Sequence, residues 1–385
     1  MHVRNRNPQW LLRLHDHRRH GSAYRVTGLQ PDQPGTDRAQ RALRLPGAEP
    51  GVADQGDLNY DRGDMFTNYL KGTHELLLKM PEDITFMARG TWIRDFAATD
   101  TTGTLSFNTP ESVGSNGLSD DARDDLAFKA RLLDLWVSKG FDVGGQRVRA
   151  RLGNQVINWG ESLFVAGGIN NTNAYDYQAL ARPGVQLKEA VLPAPMLSVA
   201  SGLGSGVNVE AYYQFRWNKS ELPPVGSYWS TTNALGEGRG LRILRKDARD
   251  SGQWGLLLRW QPEDSDVAYG FYVMRYHDKL PSLRVAILDP NTFAAAPTWE
   301  YQEDRMMYGI SANMPIGDWA VGTELSYRPK DSVMLNPVID LCTGNGGKCW
   351  KDEKKFQWHL TGLYSFTPSN SRRFWISAGP ARAAC

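Results

Sequence analysis

An all-β fold, in the form of an antiparallel transmembrane β-barrel carrying one irregular insertion, is what this sequence predicts. Three observations carry the prediction. Apolar and polar residues alternate with a period of two along ten separate stretches, the mark of strands with two unlike faces. Those stretches run close to the ~9–11 residues of a tilted membrane strand, whereas globular strands centre on ~5–6. Their polar faces carry rows of Arg, Glu, Gln and His, where a soluble barrel would fill its interior with Val, Ile and Leu.

Composition narrows the field. The 385 residues hold 38 Gly, 13 Trp and 15 Tyr, yet the mean hydropathy is −0.48. A polar average crowded with aromatics suits strands with one wet and one greasy face. No stretch approaches the ~18 apolar residues of a helical span. With 44 basic against 42 acidic residues, no field marks a nucleic-acid binder. Three cysteines are too few for a disulfide scaffold.

Taken in chain order, residues 1–55 contain nine arginines, no lysine and no apolar period, and are expected to be disordered. They also lack the apolar run of ~7–15 residues that an export signal needs. The barrel domain is expected over 56–371. Its first strands fall at Leu70–Lys79, Ile84–Trp92, Phe128–Val143 and Arg147–Trp159. Val207–Asn218 is the clearest, with Val209, Ala211, Tyr213, Phe215 and Trp217 on one face and Glu210, Tyr212, Gln214 and Arg216 on the other. Trp254–Trp260, Val267–Tyr276, Met306–Met314, Trp319–Arg328 and Phe356–Phe366 complete the set. Trp319 and Tyr327 share a face about 27 Å apart at ~3.4 Å per residue, which suits an apolar band bordered by aromatic girdles. Residues 372–385 revert to an Arg/Ala mixture. Both ends read as solvated tails or as products of a shifted reading frame or truncated gene, and an incomplete barrel is expected.

Between the strands, 160–197 breaks the alternation. A short helix is expected near Ala174–Ala181 with Asn173 as its cap. Structureless insertions this long are usually functional, and partial infolding into the barrel is favoured over an external loop. Tight hairpins at Gly202–Gly206 and Gly317–Asp318 lie on one rim. Longer loops at Gly103–Asp125, Pro223–Gly252, Pro281–Glu300 and Val333–Glu353 lie on the other.

Gly153-Asn-Gln-Val-Ile-Asn-Trp-Gly-Glu-Ser-Leu-Phe, Gly168-Ile-Asn, Leu187-Lys-Glu-Ala and Leu192-Pro-Ala-Pro-Met resemble the family called domain of unknown function 1302. Asp57-Leu-Asn-Tyr-Asp-Arg-Gly-Asp and Glu324-Leu-Ser-Tyr-Arg-Pro add to the likeness, which spans about Gly56 to Thr367. The resemblance implies an exported outer-membrane barrel of gram-negative bacteria. It also implies the company of a second exported family and of inner-membrane transporters, and hence the movement of hydrophobic or lipid-like molecules. Membrane lipids, a periplasmic protein and an inner-membrane transporter are the expected partners.

The candidate binding residues are Arg147, Arg149 and Arg151 on one strand face, with Glu161, Asn170, Asn171, Tyr175, Lys188 and Glu189 in the insertion. Like charges two apart on one face need acidic partners or water. The arginines are read as a lumen wall balanced by Glu210, Glu324 and Asp134, or as a patch that attracts anionic headgroups. Asp120–Asp125 lacks calcium-loop spacing and reads as a solvated tip. Cys342 and Cys349 read as a loop disulfide. No G-x-S-x-G, phosphate loop or metal-ligand set occurs, so no catalytic residue, metal or cofactor is assigned. The alternatives are a structural or partner-binding barrel and, third, an outer-membrane hydrolase.

Overall fold

The computed structural model describes residues 2–5, 9–13, 56–101, 118–161, 167–231, 235–236, 238, 244–289, 294–335, 342 and 345–365. Two short strands, β1 (His2–Asn5) and β2 (Gln9–Arg13), precede helix α1 (Gly56–Asn59). Strands β3 (Asn68–Met80) and β4 (Ile84–Asp95) lead to helix α2 (Asp120–Ala127), β5 (Phe128–Val143) and β6 (Gln146–Gln155). A 3-10 turn (Gly168–Thr172), β7 (Ala174–Tyr175), α3 (Tyr177–Ala181), α4 (Leu187–Ala190) and β8 (Val191–Leu192) make up the insertion. Then come β9 (Ala194–Gly204), β10 (Val207–Gln214), β11 (Leu244–Lys246), β12 (Gln253–Trp260) and β13 (Ala268–Tyr276). The chain continues through β14 (Ser282–Asp289), β15 (Ala294–Glu300), β16 (Arg305–Ile316), β17 (Trp319–Met334) and β18 (Trp350–Tyr364).

Thirteen strands form one sheet in the order β1-β3-β4-β5-β6-β9-β10-β12-β13-β16-β17-β18, with β2 also on β3. Every pairing within it is antiparallel and, apart from β1 on β3, joins strands that follow one another along the chain within the sheet, which is the up-and-down meander of a membrane barrel. Among the described residues the sheet does not close: β18 pairs with β17 alone. β1 and β2 lie within the segment for which the sequence offered no element. The rest of 1–55 and all of 366–385 lie outside the described residues, and with them Phe366 and the 372–385 tail.

Burial runs opposite to that of a soluble fold. Phe141, Leu152, Phe271, Ile310, Trp358 and Leu360 are exposed, while Gln155, Gln214, Gln253, Ser326, Glu324 and Arg328 are buried. Water does not tolerate so large an apolar face, and lipid does. No described helix is long and apolar enough to cross a membrane. Aromatic pairs lie in two rows across neighbouring strands of the outer face. Trp260–Tyr269 (5.8 Å) and Trp319–Tyr364 (5.0 Å) sit near one rim. Tyr308–Tyr327 (6.4 Å) and Tyr327–Phe356 (4.5 Å) sit toward the other. The first rim carries the tight turns: Gly144-Gly145 and Ser205-Gly206 have positive φ at both positions, the geometry that two-residue hairpins require.

Several expectations are corrected. Ala194–Leu197, expected in the insertion, begin β9, which runs on to Gly204; Pro195 and the small inward residues Ser198, Ala200 and Gly202 blur its alternation. The Arg147–Trp159 strand stops at Gln155, and Ile157 and Trp159 turn inward. The Val207–Asn218 strand stops at Gln214, and Trp217 packs on Tyr301 at 4.7 Å. Asp176, not Asn173, caps the short helix: its carboxylate accepts the Ala179 N–H at 2.9 Å, while Ala174–Tyr175 pairs with β8. Asp120–Asp125 is helical rather than a loop tip, capped by Ser119, with acids in the first turn where the helix dipole favours them. Pro281–Glu300 is not an ordinary loop, since β14, β15 and β11 form a separate three-stranded sheet there. Cys342 and Cys349 are disulfide-bonded.

Candidate functional site

The insertion lies against the inner face of the sheet and touches both of its flanks. On the β3 side, Glu189 accepts hydrogen bonds from Lys71 Nζ (2.6 Å) and Thr73 Oγ1 (2.7 Å), and Lys188 pairs with Glu75. Lys71 also donates to the Gly184 carbonyl at 2.8 Å, and the Tyr69 hydroxyl donates to the Pro183 carbonyl. On β5, Arg131 donates to Asp176 at 3.0 Å and pairs with Glu221.

On the β17–β18 side the anchor is Glu324, fully buried on the inner face. Its carboxylate accepts the Glu161 N–H at 2.7 Å and the Ile169 N–H at 3.1 Å, and His359 Nδ1 lies 3.1 Å away. Gln357 Oε1 accepts from the Gly168 N–H (3.2 Å) and from Arg328 (2.9 Å). Gly168 has φ +59°, and a Cβ there would overlap the Glu324 carboxylate, so the close approach requires glycine.

The six insertion candidates are all engaged in this seating. Besides Lys188 and Glu189, Glu161 accepts from Asn313 at 2.9 Å, and Asn170 accepts from the Gly160 N–H at 3.1 Å. Asn171 donates to the Tyr276 hydroxyl at 3.2 Å, and the Tyr175 hydroxyl donates to the Asn170 carbonyl at 3.2 Å. The arginine row stands apart from them, toward the short-turn rim. Arg147 and Arg149 converge on Asp83, with Arg149 at 3.1 Å, and Arg147 also reaches Asp142 at 3.5 Å. The Arg147 hydrogen bond holds the Asp83 carboxyl, in the β3–β4 turn, below the usual carboxylate range. Arg151 lies over the Trp136 ring, 4.3 Å from its centroid, and feels Glu210 and Asp134 through space. The expected partner Glu324 instead serves the insertion.

Sequence reasoning missed an apolar patch on this otherwise polar inner face. Tyr212, Leu257, Tyr272, Met274, Tyr276 and Met307 from β10, β12, β13 and β16 pack with Ile157 and Trp159, which lead into the insertion, and with Ile169 within it, all buried. The signal was present in Gly255 and Gly270: residues without side chains make room for Tyr212 and Tyr272 beside them. Below this cluster a cavity of about 350 Å³ opens between Asn158, Trp159, Glu161, Arg259, Ser311 and Asn313.

At the long-loop rim, Asp278 and Lys279 follow β13 and are both nearly covered. Burial pushes Lys279 down to about 7 and Asp278 up to about 6. Lys279 donates to Gln253 at 3.0 Å and to Asn218 at 3.3 Å, tying the loop after β10 to the one after β13. Of the histidines, His277 Nδ1 accepts the Asp304 N–H at 3.0 Å, and its Nε2 lies 2.9 Å from the Ser251 carbonyl.

No curated protein matches the chain. Among solved structures, OprB of Pseudomonas putida at high pH is 11% identical with a TM-score of 0.35, over 82% of this chain and 68% of that one. The siderophore receptor PirA from Pseudomonas aeruginosa is 11% identical with a TM-score of 0.26, over 78% of this chain and 51% of that one. The family match reaches past the span of 56–367 read from the motifs, and takes in most of both end segments. The chain belongs to the family described as protein of unknown function (DUF1302), whose model matches residues 4–379.

Proposed function

We propose that this chain is an outer-membrane barrel protein that passes or hands over hydrophobic or lipid-like molecules, with the insertion as its internal constriction. The observation that carries the reading is the apolar cluster on the inner face. A water-filled channel gains nothing from burying Tyr212, Tyr272, Met274 and Met307 inside the wall. A path for apolar molecules does, and the flexible, polarisable Met side chains suit varied shapes. The seating around the cluster is polar, so its groups can take hydrogen bonds from water when the insertion yields, without the wall coming apart. A periplasmic carrier and an inner-membrane transporter would take part in the transfer. No catalytic step belongs to the reading: His359 is occupied by Glu324 and Gln357, and His277 by backbone groups.

The test compares entry of the hydrophobic probe N-phenylnaphthylamine and the hydrophilic nitrocefin into cells that carry the protein in their outer membrane. N-phenylnaphthylamine entry should rise severalfold over the empty vector, and nitrocefin entry should not. Faster nitrocefin entry alone would replace this reading with a general aqueous pore. No change in either would favour a structural or partner-binding barrel.

A further inference from the structure

Near the long-loop rim, α3 and the residue that caps its end carry two buried polar side chains with hydrogen-bonding atoms that meet no partner among the described residues. Gln178 is 1% exposed, and neither its Nε2 nor its Oε1 is hydrogen-bonded. Arg182, one helical turn on, is 5% exposed, and its Nε and Nη2 are both unpartnered. The fully buried Ser227 hydroxyl is a third such group, two residues before Trp229, whose ring lies 5.3 Å from the Arg182 guanidinium carbon. Buried polar groups are nearly always hydrogen-bonded, so Gln178 and Arg182, one helical turn apart, ask for an explanation together with Ser227 on the segment that brings Trp229 to Arg182.

The surrounding acids do not supply the partner. Asp95 is filled by the Thr67 hydroxyl (2.6 Å) and the N–H groups of Asn68, Ala97 and Ala98. Asp176 is taken by Arg131 and the Ala179 N–H, and Asp125 by Lys129 at 2.9 Å. They act on Arg182 only through space.

Nε and Nη2 lie on the same edge of a guanidinium. Together they form the side-on fork that grips two oxygens of a carboxylate or phosphate. We propose that Arg182, Gln178 and Ser227 form a binding site for the carboxylate or phosphate group of a small anion at the long-loop mouth of the barrel. The Arg182 fork takes two oxygens, the Gln178 amide and the Ser227 hydroxyl donate to the remaining lone pairs, and Gln178 Oε1 accepts from any acid proton. Trp229 covers the open face of the guanidinium and fixes its plane. The site needs no passage through the barrel, so it stands or falls separately from the transport reading.

The test uses the folded full chain in detergent, with acetate and inorganic phosphate as probes, each against chloride at equal ionic strength. A ligand that binds only the folded state raises the melting midpoint saturably. Acetate or phosphate should do so and chloride should not; which of the two binds more tightly separates carboxylate from phosphate. Arg182→Lys keeps the charge but loses the fork, and should weaken binding at least tenfold. Gln178→Glu places an internal carboxylate one turn before Arg182 on the same helical face. It should abolish the anion response while melting at or above the wild-type temperature. Absence of a saturable response beyond chloride in the wild type, or an Arg182→Lys affinity within twofold of it, overturns the proposal.

Discussion

Replacing Glu324 with alanine is the most direct attack on the seat of the insertion. The side chain is 1% exposed, and its carboxylate accepts two backbone N–H groups, from Glu161 at 2.7 Å and Ile169 at 3.1 Å. Hydrogen bonds to a charged group contribute about 1.5–3 kcal/mol each, so the variant loses about 3–6 kcal/mol of docking free energy. At about 1.4 kcal/mol per factor of ten, the undocked population rises by roughly 10²–10⁴. Glu324→Gln keeps one acceptor and should lie about halfway. Two measurements read the change: current through single molecules in planar bilayers, and labelling of an Asn171→Cys probe by a membrane-impermeant maleimide. E324A should show larger, noisier currents and faster labelling. Glu82→Gln, on the exposed β3–β4 turn, should show neither. If E324A folds, conducts as wild type and shields the cysteine equally well, Glu324 does not hold the insertion.

Two further expectations concern pH. The folded Asp83 carboxyl titrates lower than in the unfolded chain, so its pairing stabilises above the unfolded value of ~3.9 and is lost as pH falls through the lowered folded value. The reversal potential of the reconstituted protein should therefore stay flat from pH 7 to about 4 and turn toward anions only below that, as Arg147 and Arg149 are freed. In Arg147→Gln the turn should start at higher pH, and an unshifted profile would disprove the link. At the other rim, Lys279, pushed down to about 7, binds fewer protons folded than unfolded between ~7 and ~10.4, so loop stability climbs with pH across that window. Asp278, raised to about 6, acts in the opposite sense and loses its contribution as pH rises from ~4 through 6. Amide exchange at Trp217 and Ser220 should follow both limbs, and Lys279→Met should remove the upper one.

What the sequence made legible follows from the range of the physics involved. A period of two is local, so Trp254–Trp260 and Trp319–Arg328 could be read residue by residue. The strand ends could not. Trp217 and Trp159 continue the alternation or the apolar run, and only their distant partners, Tyr301 and Tyr212, show that the chain has turned inward. β9 was hidden because Met196 faces the apolar patch while Leu197 faces outward, leaving little contrast between its two faces. The insertion was recognisable as an interruption, and its Lys188-Glu189 pair as polar. That these two side chains meet Glu75 and Lys71, more than a hundred residues earlier, is a property of the fold alone. The arginine row was visible at once, but Asp83, its principal partner, lies on a different hairpin.

The two kinds of contact that hold the insertion differ in how they give way. Polar groups that part can take hydrogen bonds from water, even those as buried while docked as Lys71 and Glu189, whereas an apolar side chain withdrawn from a packed cluster loses about 1.5–3 kcal/mol with no substitute. The 183–190 stretch is held to β3 by Lys71, Thr73, Glu75 and Tyr69, all through polar groups. Ile157, Trp159 and Ile169 are held by Tyr212, Tyr272, Met274 and Met307 as well as by Glu324. Opening should therefore begin on the β3 side, with the apolar cluster acting as the fixed hinge. That order would clear space along β3 while the apolar cluster keeps the rest of the insertion in place. Amide exchange at Glu189 and its neighbours should then run faster than at Ile169. The reverse order would mean that the cluster yields first and that the β3 contacts are the hinge.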